Sequence, residues 1–268
     1  MSTQTKESFN YFPLQPHVKS IAAQYVEARG YPNHNVLLFS QFTIGDVINS
    51  PAHVLPDGCI EIIFSCNPNN PTASIYGSLF KDSRKIFFEP GYEHFCVRVL
   101  VEQGAKLIKY PMNEIREEKL PLLDLVSMDN FIVEKICEPS SFHERINYFL
   151  KFIKNNLENE HIAPYFIDYA VKRIYRCKGN ITVGDLAKEI GYSDRYLRQQ
   201  FKKHLGINPK ELCQIVRFQN SICAISNLPH DELIHIVSDL GYYDQSHFID
   251  EIKRFSQLTP IKLKETLV

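Results

Sequence analysis

The sequence predicts an α+β multidomain protein, with a small antiparallel β barrel or sandwich carrying helices ahead of an all-α domain. Three observations predict it. Short apolar runs punctuated by Gly and Pro fill residues 1–120, helical spacing takes over from about residue 121, and a seven-residue pattern near the C-terminus occurs twice. The predicted divisions are 1–120 (β-rich), 121–163 (helical connector) and 164–268 (all-α).

The 268 residues, 44% apolar and 23% charged, have the composition of a soluble globular protein with room for two ordinary domains. No run approaches the roughly 18 apolar residues of a membrane span, and MSTQTKESFN lacks the apolar stretch of a signal peptide. A cytoplasmic protein without membrane contact is expected. The seven cysteines (Cys59, Cys66, Cys96, Cys137, Cys177, Cys213, Cys223) are scattered and never spaced C-x-x-C, which predicts reduced thiols and no zinc knuckle. The net charge of −1 is unevenly spread. Residues 165–268 carry 15 Lys and Arg against 12 Asp and Glu, a net +3, which leaves −4 for the remainder. Any polyanion contact therefore belongs to the second half.

In the first half, Val36-Leu37-Leu38-Phe39 is a short buried-type run. His53-Val54-Leu55 leads into Pro56-Asp57-Gly58, a turn in which Pro presets φ and Gly accepts a positive φ. Cys59–Phe64 follows as a strand whose mixed alternation fits a sheet covered on much of both faces. Further runs at Ile75-Tyr76, Ile86-Phe87-Phe88 and Phe95–Leu100 are separated by Gly77, Pro90-Gly91 and Gly104. Later, Ser141 and Glu144 form a capping box ahead of a stripe of Ile146, Phe149, Leu150, Ile153 and Leu157, one face of a helix packed on its own domain.

Catalytic signals are absent from this half. His17, His34, His53 and His94 include no pair one residue apart, there is no G-x-S-x-G elbow, and no Gly-rich phosphate loop occurs. Neither a metal nor a cofactor is expected. His53, Asp57 and Glu61 gather near one turn and, with Arg98, are the candidate ligand-binding residues, against the plainer reading of a hydrogen-bonded turn.

In the second half, Leu186–Tyr192 recurs as Ile236–Tyr242 at an offset of 50, and Leu197, Phe201 and Pro209 answer to Phe248, Ile252 and Pro260 at an offset of 51. Each copy reads helix, Gly-Tyr turn, helix. Thr182 caps the first helix, Gly191 ends it in a left-handed residue, and Ser193 or Asp194 caps the next, which buries Leu197, Phe201 and Leu205. That is a helix-turn-helix pattern. The other face of this second helix carries Arg195, Arg198, Gln199, Lys202 and Lys203, with no acid from 195 to 205. Arg and Gln can bond guanine and adenine edges, and the lysines can neutralise phosphates, so double-stranded DNA is the expected partner. Tyr192 and Tyr242 are expected to pack at their turns.

These residues carry a resemblance. ITVGDLAKEIGYSDRYLRQQFKKHLGINPKEL, CQIVRFQNSICAI and IVSDLGYYDQSHFIDEIKRFSQLTPIKL resemble the DNA-binding domain of AraC/XylS-family transcription regulators. The resemblance implies two helix-turn-helix units joined by a long helix from about Pro209 to Ser226, reading adjacent major-groove segments. It implies base contacts from Arg195, Arg198 and Gln199. In the second unit it implies contacts from Gln245, Ser246, His247, Lys253 and Arg254, with Ile249 and Asp250 on the same face. Asp250 and the following Glu251 disfavour phosphate, so the first unit is expected to carry most of the affinity. HVLPDGCIEIIF, with FCVRVLVEQGAKLIKYPMNEIREEKLPLLDL, is similar to an uncharacterised β-rich domain found ahead of such DNA readers, and implies a regulatory role. A small-molecule effector, RNA polymerase and a second copy of the chain are the further candidate partners. The rival reading is an enzyme, an alkyl-acceptor DNA-repair protein with a tail of this type. It would need a zinc-held activated cysteine, and Cys59 and Cys66 are the nearest pair.

Overall fold

The computed structural model describes residues 11–30, 36–45, 51–78, 81–108, 110–125, 131–138, 141–156, 163–229, 235 and 237–267. Among the described residues, eight strands lie in the first half: β1 (Ala22–Arg29), β2 (Leu38–Ile44), β3 (Ala52–Val54), β4 (Cys59–Cys66), β5 (Thr72–Tyr76), β6 (Arg84–Ile86), β7 (Glu93–Leu100) and β8 (Lys119–Pro121). Six form an antiparallel sheet in the order β1-β2-β7-β4-β5-β8, while β3 and β6 pair separately. The outer strands β1 and β8 do not pair with each other, so the arrangement is an open sandwich rather than a closed barrel.

Strand alternation sends side chains to two faces, and both are covered, as the mixed pattern of Cys59–Phe64 predicts. Phe39, Ile62, Phe64, Phe95 and Val97 face one side and join a core with Ile136, Ile146, Phe149 and Ile153. There the Phe149 ring meets Phe39 and Phe64 edge-on, each at 6.1 Å. Phe42, Ile63 and Cys96 face the other side and pack with Val18, Ile21, Ala52, Val54 and Ile86. Those partners come from β3, β6 and α1 (Pro16–Ile21).

Further helices are α2 (Val101–Leu107), α3 (Met112–Ile115), α4 (Leu122–Leu125), α5 (Phe131–Cys137), α6 (Phe142–Asn156), α7 (Tyr165–Arg176), α8 (Val183–Glu189), α9 (Asp194–Leu205), α10 (Pro209–Asn227), α11 (Gln245–Ser256) and α12 (Pro260–Leu267). The Ser141–Glu144 capping box opens α6, with Glu144 Oε2 accepting from the Ser141 N–H at 2.8 Å. Leu157, the last residue of its expected stripe, lies outside the described residues, and so does most of 230–236, where the second copy's first helix was expected. Helix α10 is the hub of the second half. Leu212, Ile215, Val216, Phe218, Ile222 and Ile225 on it are fully buried. Asn208 caps it in a capping box with Glu211.

The sequence reading of residues 1–120 needs two corrections. Strand β1 was not expected, and its exposure pattern explains why: most of its residues face solvent, so no apolar alternation marks it. Gly104 is not a separator but lies inside α2, where the lack of a Cβ lets that helix press on Ile60.

The two halves are welded together. A single apolar cluster runs from Phe39 and Val97 through Val101 and Met112 to Phe201, Leu205 and Ile215. Buried Gln219 on α10 accepts from Leu14 N–H at 2.8 Å and donates to the Pro56 carbonyl at 2.8 Å. Tyr175 on α7 stacks on Tyr11 at 4.6 Å and donates to Glu102 Oε2 at 2.9 Å. Ion pairs Lys106–Asp168 (3.2 Å) and Arg116–Glu211 (2.9 Å) flank this contact. At the end of α9, Gly206 has φ +67°, and a Cβ there would lie 2.6 Å from the Met112 carbonyl.

Candidate nucleic-acid interface and ligand pocket

The first helical pair is built as its sequence dictates. Thr182 Oγ1 accepts from the Asp185 N–H at 3.0 Å and starts α8. Gly191 takes φ +77° and ends it, while the Tyr192 N–H returns to the Ala187 carbonyl at 2.9 Å. Ser193, rather than Asp194, caps α9 by accepting from the Tyr196 N–H at 3.3 Å. Leu197, Phe201 and Leu205 are at most 1% exposed, which fixes the rotation of α9 about its axis.

That rotation turns Arg195, Gln199, Lys202 and Lys203 to solvent. Among the described residues, no carboxylate pairs with Arg195, Lys202 or Lys203. Arg195 and Lys202 lie seven residues apart, about 10 Å along the axis, so the positive charge covers two turns of helix. Arg198 is different. It is half-buried, and its Nη1 donates to Asn208 Oδ1 at 3.1 Å, tying it to a neutral amide at the start of α10.

Helix α11 repeats the construction with a different surface. Asp244 caps it, accepting from the His247 N–H at 2.7 Å. Phe248, Ile252 and Phe255 are buried, while Gln245, Ser246, His247, Asp250, Lys253 and Arg254 are exposed and Ile249 is half-buried. His247 Nδ1 accepts from the Tyr243 N–H at 3.3 Å, so the neutral ring carries its proton on Nε2. Glu251, which the sequence suggested would add to the acidic character of this face, points inward instead. It takes two bonds from Arg217, at 2.9 and 2.6 Å, and Arg217 lies over the Tyr242 ring at 4.8 Å. Asp250 is then the one carboxylate among the exposed residues of α11. The paired tyrosines also diverge. Tyr242 is buried and bonded to Ser221 at 3.0 Å, but Tyr192 is 43% exposed, stacked on Tyr196 at 5.0 Å and against Phe166 at 4.6 Å.

In the first half the structure brings Asp57, Glu61 and Arg98 together. Glu61 on β4 sits opposite Arg98 on β7, with Oε1 3.3 Å from Nη2, and Asp57 Oδ2 is 3.8 Å from Arg98 Nε. Burial raises the Glu61 carboxyl above its usual range against the pull of Arg98. Asp57 Oδ1 accepts from the Cys59 N–H, and Oδ2 from Gln15 Nε2, each at 2.9 Å. A cavity of about 20 Å³, room for a single water, is lined by Asp57, Glu61, Tyr76 and Arg84 among others. His53 is not part of this group. Its N–H donates to His17 Nδ1 at 3.2 Å and the two rings meet edge-on at 5.1 Å.

Cys59 and Cys66 stand at opposite ends of β4, about 23 Å apart along an extended strand, and cannot share a metal ion. Among the described residues no group of three His, Cys, Asp or Glu side chains is placed to hold a metal, and no helix is long and apolar enough to cross a membrane.

Residues 186–266 match a protein-family model described as a helix-turn-helix domain. None of the curated proteins compared with the chain matches it. Among solved structures, the C-terminal domain of AraT, a response regulator from Geobacillus stearothermophilus, is 21% identical over 40% of this chain and 88% of its own, with a TM-score of 0.35. ToxT from Vibrio cholerae is 11% identical over 91% of this chain and 98% of its own, with a TM-score of 0.45. ToxT with a bound unsaturated fatty acid is 11% identical over 91% and 94%, with a TM-score of 0.40.

Proposed function

Starting from an AraC-type helix-turn-helix domain at residues 186–266, we propose that this chain is a sequence-specific DNA-binding transcription regulator whose α9 and α11 enter adjacent major-groove segments. The observation that carries this reading is the outward face of α9, where Arg195, Gln199, Lys202 and Lys203 are exposed around a fully buried stripe. Arg195 and Gln199 near the start of the helix have the chemistry for base edges, and Lys202 and Lys203 that for phosphate. Arg198 serves as both contact and support, since its bond to Asn208 ties α9 to α10.

Helix α11 fills the same role in a second unit, through Gln245, Ser246, His247, Lys253 and Arg254. Asp250 lowers its affinity for phosphate, so α9 contributes the larger electrostatic share. Control comes from a ligand or partner on the first half, acting on a pre-existing equilibrium. Two features support that route: α2 and α3 pack against the same cluster as α9, and Asp57 and Glu61 pair with Arg98 on β7, the strand that runs directly into α2.

Selection of bound duplexes from a random pool by the full chain tests the reading. It should recover two preferred segments about one helical turn, 10–10.5 base pairs, apart. A pool that shows no enrichment over its starting composition would overturn it.

A further inference from the structure

Cys66 ends β4 and Cys137 ends α5, and the fold brings these two thiols together beside a buried guanidinium. Cys137 Sγ donates to the carbonyl of Ser65, the peptide group that leads into Cys66, at 3.8 Å, Cys66 Sγ lies 4.0 Å from the Phe64 carbonyl, and the two thiols are near enough to interact electrostatically. Cys66 is 7% exposed and Cys137 half-buried, so a narrow path to solvent suits a small reagent. Arg145 on α6 is fully buried. Its Nε donates to the Ile136 carbonyl at 2.9 Å and its Nη2 is 2.7 Å from Glu93 Oε2, on the residue paired with Cys66 across the sheet. Among the described residues, buried Nη1 of Arg145 has no acceptor. An orphaned cationic donor in an interior is costly, and it points to an acceptor that comes and goes.

We propose that Cys66 and Cys137 are a hydrogen-peroxide-sensitive pair, with Cys66 the sulfur attacked first, Cys137 the resolving thiol, and Arg145 Nη1 the donor to the anionic sulfur or its oxygen. Interaction with the Cys137 thiol, with the Arg145 charge, lowers Cys66 from the ordinary thiol range, while the same interaction and burial raise Cys137. In the first step the Cys66 sulfur attacks one peroxide oxygen. The O–O bond breaks, a sulfenic acid forms, and the departing hydroxide takes up the thiol proton as water. In the second, Cys137 sulfur attacks the Cys66 sulfur, the S–O bond breaks, and the Cys137 proton leaves with that oxygen as a second water. The pair gives up two electrons and one peroxide is reduced. The other thiols are set differently: burial raises Cys59, Cys96 and Cys213, Cys223 is exposed, and Cys177 accepts from Arg173 Nη1 but, among the described residues, has only the raised Cys213 thiol near it.

The test is peptide mapping of the reduced full-length chain after exposure to equimolar hydrogen peroxide, with dithiothreitol reversal. The expected product is a Cys66–Cys137 disulfide, formed about tenfold or more faster than oxidation of exposed Cys223. Cys137→Ser, checked for native circular dichroism, should stop at a single added oxygen on Cys66 that a sulfenic-acid reagent traps. Cys66 reacting no faster than Cys223 in the unmutated chain would overturn the proposal, as would a disulfide joining any other pair.

Discussion

Replacing Arg217 by Met should be among the most damaging single changes in the C-terminal half. The guanidinium is 14% exposed and its partner Glu251 only 4%, so the pair is nearly out of water. The variant loses two bonds to Glu251, a longer one to the Gly241 carbonyl at 3.4 Å, and the contact over Tyr242, while leaving a buried carboxylate without a counter-charge. Breaking one side of a buried pair costs about 3–5 kcal/mol. The residual exposure of Arg217 places this site near the lower end, about 3 kcal/mol, or roughly a hundredfold in the unfolding equilibrium. The double change Arg217→Met, Glu251→Leu removes both charges and should recover most of that loss. Urea unfolding followed by circular dichroism measures all four members of the cycle. A cost below about 1 kcal/mol for Arg217→Met would refute the inward placement of Glu251, and with it the assignment of α11's outer face.

Three further outcomes follow from other contacts. Burial raises the Glu102 carboxyl, so the unfolded chain releases this proton at lower pH than the folded one. Stability should therefore fall as pH rises from the ordinary carboxyl range through the raised folded value, and Glu102→Gln, which keeps an acceptor for Tyr175, should flatten that slope in pH-dependent unfolding. Gln219→Leu strands the Leu14 N–H and the Pro56 carbonyl, and should cost about 1–3 kcal/mol with faster amide exchange at Leu14. Arg198→Ala should weaken specific DNA binding by about 1–3 kcal/mol in anisotropy titrations and also lower stability by about 1 kcal/mol, because the Asn208 bond goes with it.

Much of the helical half was legible because its signals are local. Caps at Thr182 and Ser193, a left-handed Gly191 and the four-residue spacing of Leu197, Phe201 and Leu205 each act within a turn or two. What spacing could not reveal was which polar side chains turn away from solvent. Glu251 and Arg217 are 34 positions apart, and only packing of α11 on α10 pairs them. Arg198 sits one residue from the exposed Gln199 yet reaches back to Asn208. In the sheet, Glu61 and Arg98 could be named as polar residues on strands, but their facing register depends on a pairing between distant segments. His53 was grouped with them by nearness along the chain, and the turn at Pro56-Asp57-Gly58 takes it to His17 instead. Cys66 and Cys137 were invisible as a pair for the same reason, since nothing in the 70 positions between them marks the approach of α5 to β4.

The salt dependence of duplex binding tests the outward face of α9 most directly. Affinity of the full chain for a fixed duplex, measured over a series of salt concentrations, gives a logarithmic slope set by the phosphates it neutralises. Lys202→Ala should weaken binding to all sequences and reduce that slope by about 0.9, the share of one phosphate contact. If slope and affinity were both unchanged, Lys202 and the helix face it belongs to would not lie on DNA.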